Sequence, residues 1–264
     1  LEPGGVTAEP GQERLGPRFR GDEREVERGS ARAWSRSACG GLRFVLNGDP
    51  VLLRPSGALF VERLRTLVVS DLHFEKGSHY ARKGLLLPPY DTDATLARLE
   101  AEAEALAPAT LVFLGDTFHD DGGEARLAAG NAARIAALAS GRTLVWIVGN
   151  HDEAGPRALP GDVADTVAAG ALTLTHEPEP GRRPGEVAGH LHPCAKVVAY
   201  RRSVRSRAFL TDGERLIAPA FGAYAGGLNV LDPAYDGLFA GETKAVALGR
   251  DRLHVLSRGV LAPD

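Results

Sequence analysis

The chain has no methionine, only 2 cysteines and 6% aromatic residues, and nowhere a long uninterrupted apolar run. Each scarcity closes off a class of protein. A bilayer span needs about 18 or more consecutive apolar residues, and the charged start of the chain lacks the apolar core of a secretory leader. A cytoplasmic location is therefore expected. Cys39 and Cys194 are too few for a disulfide framework and are expected to be free thiols. With Leu1 first and no methionine anywhere, the chain is expected to start at a fragment or processed end. A formal net charge of −3 does not advertise a nucleic-acid binder, so such a partner has to be argued from a local patch.

With 264 residues and 44% hydrophobic content, the chain can bury one sizeable core. Residues 1–41 are rich in Gly, Arg and Glu, a composition unable to offset ordering entropy by burial, and read as a disordered segment. Residues 42–264 read as a single domain. Arg20, Arg24, Arg28, Arg32 and Arg36 recur every fourth place and would form one stripe on a helix. Val26 and Trp34 are nearly the only apolar side chains available to dock it, which favours a solvated tail.

From Leu42 the texture changes to an α/β alternation. The apolar runs Leu67–Val69, Leu111–Leu114 and Leu144–Val148 lead into Asp71, Asp116 and Asn150, as buried strands ending in a polar residue do. Between them lie two helical patterns. One runs from about Asp93 to Ala107, with Asp91 or Thr92 as N-cap and Leu96, Leu99, Ala103 and Leu106 on one face; the other runs from Glu124 to Ala139 with Leu127, Ile135 and Leu138. After Leu172 strands dominate: Leu172–Thr175, Glu186–Ala188, Lys196–Tyr200, Val204–Leu210 and Arg215–Ile217, with a hairpin turn at Thr211–Glu214. A two-sheet sandwich flanked by helices fits this order.

The chemistry gathers where the strands stop. Asp71 and His73 sit two apart, where strand alternation would point both to one side and let them grip one ion. Gly115–Asp116 puts a carboxylate, able to bridge two cations, after a glycine that permits a tight exit. Gly149–Asn150–His151–Asp152 offers an amide oxygen beside an imidazole, and His176, His190 and His192 follow later strands. Taken singly, a strand-end Asp is a turn or cap and a lone His is usually hydrogen-bonded or exposed. Five of the 8 histidines belong to this set, and that concentration favours a shared site.

Asp71-Leu72-His73, Gly115-Asp116, Gly149-Asn150-His151-Asp152, His176 and Gly189-His190-Leu191-His192 together resemble the signature series of calcineurin-like metallophosphoesterases, over about Leu64 to His192. The resemblance implies a four-layer αββα sandwich. It also implies one metal on Asp71, His73, Asp116 and His192, a second on Asp116, Asn150, His176 and His190, and His151 as the catalytic imidazole. Ser70–Gly77, Leu86–Thr92, Gly115–Asp120 and Pro219–Asn229 resemble more narrowly the PdeM subfamily, phosphoesterases associated with a bacterial DNA ligase and a large helicase in the DNA damage response.

The resemblance leads us to expect a phosphodiesterase, nuclease-like and acting in DNA repair, in which paired cations lower the pKa of a bridging water whose hydroxide attacks phosphorus. Histidine, carboxylate and amide ligands suit manganese first, with iron or zinc also compatible. A phosphomonoesterase, a nucleotide pyrophosphatase or a non-catalytic scaffold remain alternatives. Arg182, Arg183, Lys196, Arg201, Arg202, Arg205 and Arg207 crowd one window with the single acid Glu186, and Arg201, Arg202 and Arg205 are candidates for holding a nucleic-acid backbone. A solvated edge strand is the competing reading. His79 and His119 are weaker candidates for touching substrate, Cys194 reads as a packing residue, and Gly222–Gly227 either border the site or pack.

Overall fold

In the first sheet, strand order is chain order. The computed structural model describes residues 34–199 and 202–264. Its first sheet comprises β1 (Ser35–Arg36), β2 (Leu42–Leu46), β3 (Asp49–Leu53), β4 (Leu59–Val61), β5 (Thr66–Ser70), β6 (Thr110–Leu114), β7 (Thr143–Ile147) and β8 (Asp162–Ala164). Strands β1 to β5 pair antiparallel, and β5 to β8 run parallel. Parallel neighbours require crossovers. Helices α1 (Lys76–Arg82) and α2 (Asp91–Leu106) lie in the first crossover, α3 (Gly123–Arg126) and α4 (Ala129–Ala139) in the second.

The second sheet is formed by β9 (Thr166–Ala169), β10 (Leu172–Thr175), β11 (Glu186–Ala188), β12 (Cys194–Ala199), β13 (Arg202–Thr211), β14 (Leu216–Ile217), β15 (Lys244–Leu248) and β16 (Leu253–Ser257). Its order is β16-β15-β13-β14-β11-β10-β9, with β12 also pairing β13. Phe44, Val68, Val112 and Ile147 of the first sheet face Leu174, Val187, Phe209 and Val246 of the second across an apolar core. On the outer side, Leu67, Val69, Phe113 and Trp146 pack under Leu96, Leu99, Ile135 and Leu138 of the helices. Because β5, β6 and β7 are buried on both faces, their sequences are unbroken apolar runs. The second sheet's outer face is covered by Val230, Tyr235 and Leu238. That layer contains a 3-10 turn, Pro233–Tyr235, rather than a long helix.

Several boundaries differ from the sequence expectation. Helix α2 starts at Asp91, and Ala107 closes it in a left-handed conformation. The stretch expected as one helix from Glu124 to Ala139 is two, broken at an extended Leu127. Tertiary contacts explain the break: Arg126 is held by both oxygens of Asp120, and the Glu124 carboxylate accepts the amides of Arg157, Ala158 and Leu159, so α4 has to begin afresh. Ordered structure also starts ahead of Leu42, with the Trp34 ring stacked 4.3 Å from Phe44 and β1 paired to β2. Arg36 lies in β1; the rest of the N-terminal segment, with Arg20, Arg24, Arg28 and Arg32, lies outside the described residues. Among the described residues no helix is long and apolar enough to cross a membrane.

A buried ion pair ties the helical layer to the sheet: Arg54 Nε donates to Glu102 Oε2 at 2.6 Å, with both side chains about nine-tenths shielded. Removing one partner strands a charge, whereas replacing both with apolar groups does not. Glu102→Ala should cost about 3 kcal/mol, read as a lower denaturation midpoint, and Arg54→Met with Glu102→Leu should recover most of it. A single variant as stable as the parent would contradict this account.

Candidate metal centre

Five strand ends deliver the cluster. Asp71 and His73 follow β5, Asp116 follows β6, Asn150 and His151 follow β7, His176 follows β10, and His190 and His192 follow β11. β5, β6 and β7 are mutually parallel, as are β10 and β11, so each group of loops leaves its sheet at one edge.

The backbone then turns in a way that strand alternation does not anticipate. Asp71 (φ 51°), His73 (46°), Asp116 (47°), His190 (64°) and His192 (47°) are all left-handed. Asp and His tolerate this region better than most residues, yet it remains disfavoured for anything but glycine. Asp71 and His73 share a side because left-handed residues alternate with the buried Leu72 and Phe74, not because a strand continues through them. His190 and His192 repeat the device around Leu191. Gly149 and Gly189 leave the room it needs: a Cβ on the first would strike Asp116, and on the second Ser70 and Asp71.

Asp71, His73, Asp116 and His192 each offer a ligand atom, all within 4.8 Å of one another. His192 Nε2 lies 3.1 Å from Asp71 Oδ1, and His73 Nε2 lies 3.4 Å from His192 Nε2 and 3.8 Å from Asp116 Oδ2. A second group meets on the other side of Asp116. Asn150 Oδ1 is 2.9 Å from both His176 Nε2 and His190 Nδ1, and His176 Nε2 is 3.4 Å from Asp116 Oδ1. His176 Nδ1 must donate to the Leu114 carbonyl at 2.9 Å, which leaves Nε2 as a lone pair facing two oxygens. Acceptors directed at acceptors are what a cation site requires, and the donor set suits a divalent ion.

Electrostatics agrees. Burial, then His192 and Lys76, pushes His73 down to about 3, outweighing Asp71, so the ring is neutral and able to ligate at ordinary pH. Burial raises the Asp116 carboxyl, with Asp71 adding to it. At Asp71 burial is outweighed by His192, His176 and Ser70, and the carboxyl titrates below its usual range. His190 is lowered by burial and by His176. Asp152, the last residue of its motif, is pushed up to about 6 by burial; it accepts the Phe118 amide at 3.1 Å and so braces the loop carrying Asp116.

His151 stands at the edge. Its amide donates to Asp116 Oδ1 at 3.0 Å, and its Nδ1 donates to the His119 carbonyl at 3.0 Å, so Nε2, 3.9 Å from Asp116 Oδ2, is the atom turned to the cluster. His119 is closer to the chemistry than its sequence context suggested. It forms a second candidate ligand group with His73 and His151, its ring stacks 5.3 Å from His151, and burial followed by Lys76 lowers it to about 4. The signal was its place three residues past Asp116. His79 is turned to Asp120, which Arg126 also grips.

The arginine window looks different in three dimensions. Arg182 pairs with Glu214, Arg183 with Glu179, and Arg205 with Asp264, while Arg207 donates to the carbonyls of Ala220 and Gly222. Arg202 is exposed at the tip of the β12–β13 hairpin, five residue steps or about 17 Å along the strand from Cys194. Arg201 lies outside the described residues. Both cysteines are free thiols, Cys194 buried and Cys39 exposed. Gly222 and Gly227 both pack and border the cluster: a Cβ would strike the Leu72 and His192 carbonyls respectively, each on a loop that carries cluster residues.

The family model described as calcineurin-like phosphoesterase matches residues 64–213. Among solved structures, the Pseudomonas putida nuclease MPE is similar at 28% identity and a TM-score of 0.62, covering 82% of this chain and 100% of that one. Yfce, a phosphoesterase from E. coli, is similar at 19% identity and a TM-score of 0.36, over 73% of this chain and 98% of that one. No curated protein matches. Since the matched span takes in more than half of the chain and all five strand ends that feed the cluster, this protein belongs to the calcineurin-like phosphoesterases, metal-dependent hydrolases of phosphate esters.

Proposed function

We propose that the protein is a two-metal phosphodiesterase acting on nucleic acid. The observation that carries the reading is the meeting of two acceptor groups at one carboxylate, with Asp116 Oδ2 toward His73 and Oδ1 toward His176. One metal would be held by Asp71, His73, Asp116 and His192, the other by Asp116, Asn150, His176 and His190. Two divalent cations, manganese in the first instance and iron or zinc as alternatives, would supply charge against the phosphate oxygens and an attacking water of lowered pKa.

The chain's own residues do the rest. Asp116 holds the two halves of the site together and fixes the loop of His151 through that residue's amide. His151 keeps Nδ1 on the His119 carbonyl, which fixes the ring and leaves Nε2 to protonate the departing oxygen. Preference for a nucleic-acid diester over a monoester is supported by the similarity to a nuclease at 28% identity. Work in DNA repair alongside a ligase and a helicase is supported by the PdeM resemblance of Ser70–Gly77 and Pro219–Asn229.

Asp116→Asn should abolish hydrolysis and lower bound metal from two equivalents toward none, because an amide lacks the charge to hold two dications; metal content of the purified variant checks this, and full occupancy would sink the bridging role. His151→Ala should behave oppositely. Its metal content should match the parent, while kcat on a diester with a poor leaving group falls by about 10²–10⁴ and a p-nitrophenyl ester suffers far less. Loss of an ion, or an undiminished kcat on the poor leaving group, would reassign His151.

A further inference from the structure

One surface beside the centre has a composition unlike the rest of this acidic chain. From Lys76 to Tyr90 there is no Asp or Glu, while Lys76, Arg82 and Lys83 are basic. The loop between α1 and α2 also carries the most exposed large apolar side chain among the described residues, Leu86 at 87%, with Tyr90 at 66% and Leu85 at 59%. Both ends of the loop are pinned. The Leu85 amide donates to the Tyr80 carbonyl at 2.9 Å, and at the far end Asp91 and Thr92 accept the amides of Gly77 and Glu75. The apolar side chains are therefore held outward on a fixed protrusion, and an exposed apolar group of this kind marks a contact surface.

The protrusion is continuous with the proposed acid. The His119 ring stacks on His151 at 5.3 Å and 19°, and Tyr80 stacks on His119 at 5.6 Å and 28°, making a ladder of three rings that leads from the centre to α1. Lys76, half-buried at the start of α1, makes no salt bridge among the described residues, and the Asp91 carboxylate is near enough to favour its charge. Aromatic and apolar side chains for bases, interleaved with cations for phosphates, are what a single strand recognises; the acids bordering α1 are already engaged, Glu75 with Ser78, Asp91 with the Gly77 amide and Asp120 with Arg126.

We infer that α1 and the loop to Tyr90 form the platform for the substrate strand on the leaving-group side of the scissile phosphate, with unpaired bases resting on Leu86 and Tyr90 and the backbone near Lys76 and Lys83. This rests on the proposed nucleic-acid reading and on His151 facing the leaving group. It places strand binding here rather than on the β12–β13 hairpin, where Arg205 is already paired with Asp264.

The test uses the full chain loaded with manganese and the double variant Leu86→Ser, Tyr90→Ser. Both positions are exposed, so an unchanged melting temperature is expected. Three substrates are compared: a small chromogenic diester, a single-stranded oligothymidylate, and an abasic strand of the same length. The variant's kcat/KM should stay within about twofold on the diester and fall about tenfold or more on the oligothymidylate. The parent should lose a similar factor on the abasic strand, to which the variant should be nearly indifferent, and Lys83→Gln should make oligonucleotide cleavage less salt-dependent. Parental rates for the variant on oligothymidylate would overturn the inference and leave the exposed leucines to a protein partner. So would equal losses on diester and oligonucleotide, or a parent that ignores base removal. A parent that cleaves the diester and no oligonucleotide would instead overturn the nucleic-acid reading, and this platform with it.

Discussion

Asp71 and Asp116 are buried in one polar cluster, each disfavouring the other's charge, and the fold must keep them together. Imidazole lone pairs and the Asn150 oxygen are aimed into the same space, and although His192 and His176 favour the Asp71 charge, the loops at five strand ends crowd acceptors onto one point. Its cohesion comes from outside the cluster. The His190 amide donates to Asp71, the His151 amide to Asp116, and the Leu114 carbonyl fixes the His176 ring. These backbone bonds are available only because the two sheets lie face to face across a shared apolar core, with the parallel strands of each ending at the site. Packing supplies the rigidity, and the rigidity holds an arrangement that a cation would relieve.

Much of this could be read from residue order. Apolar runs ending in Asp71, Asp116 and Asn150 identify buried strands because β5, β6 and β7 are covered on both faces, a signal independent of distant partners. Strands β10 and β11 fall where the alternation put them, and the helix before β6 buries Leu96, Leu99 and Ala103 as its period requires. What could not be read depends on side-chain contacts that no periodicity encodes. The break at Leu127 is imposed by Asp120 on one side and by the amides after Pro156 on the other. The left-handed turns at His73 and His192 are set by how tightly neighbouring loops approach, which no local pattern encodes.

Charge was the least legible property. Seven basic residues in one window suggest a positive face, but Glu179, Glu214 and Asp264 pair with four of them, Asp264 facing both Arg205 and Lys196, and all three acids lie outside the window. Conversely, Lys76 to Tyr90 draws little notice in sequence because its cations are few. Its character appears only once the loop is seen pinned at both ends, its apolar side chains outward, beside a ladder of rings that starts at His151.

The left-handed residues of the cluster set a cost on the chain. A backbone held in this region costs of order 1–3 kcal/mol per residue, and glycine there would cost far less. Five of the site's residues thus work against the stability of the polypeptide that displays them. A lineage selected for robustness alone would drift toward glycine or asparagine at these positions and erase the centre while improving the scaffold. Five of the nine non-glycine residues with positive φ among the described residues belong to this one cluster, so the disfavoured backbone is concentrated where the polar side chains converge rather than spread over the turns of the scaffold.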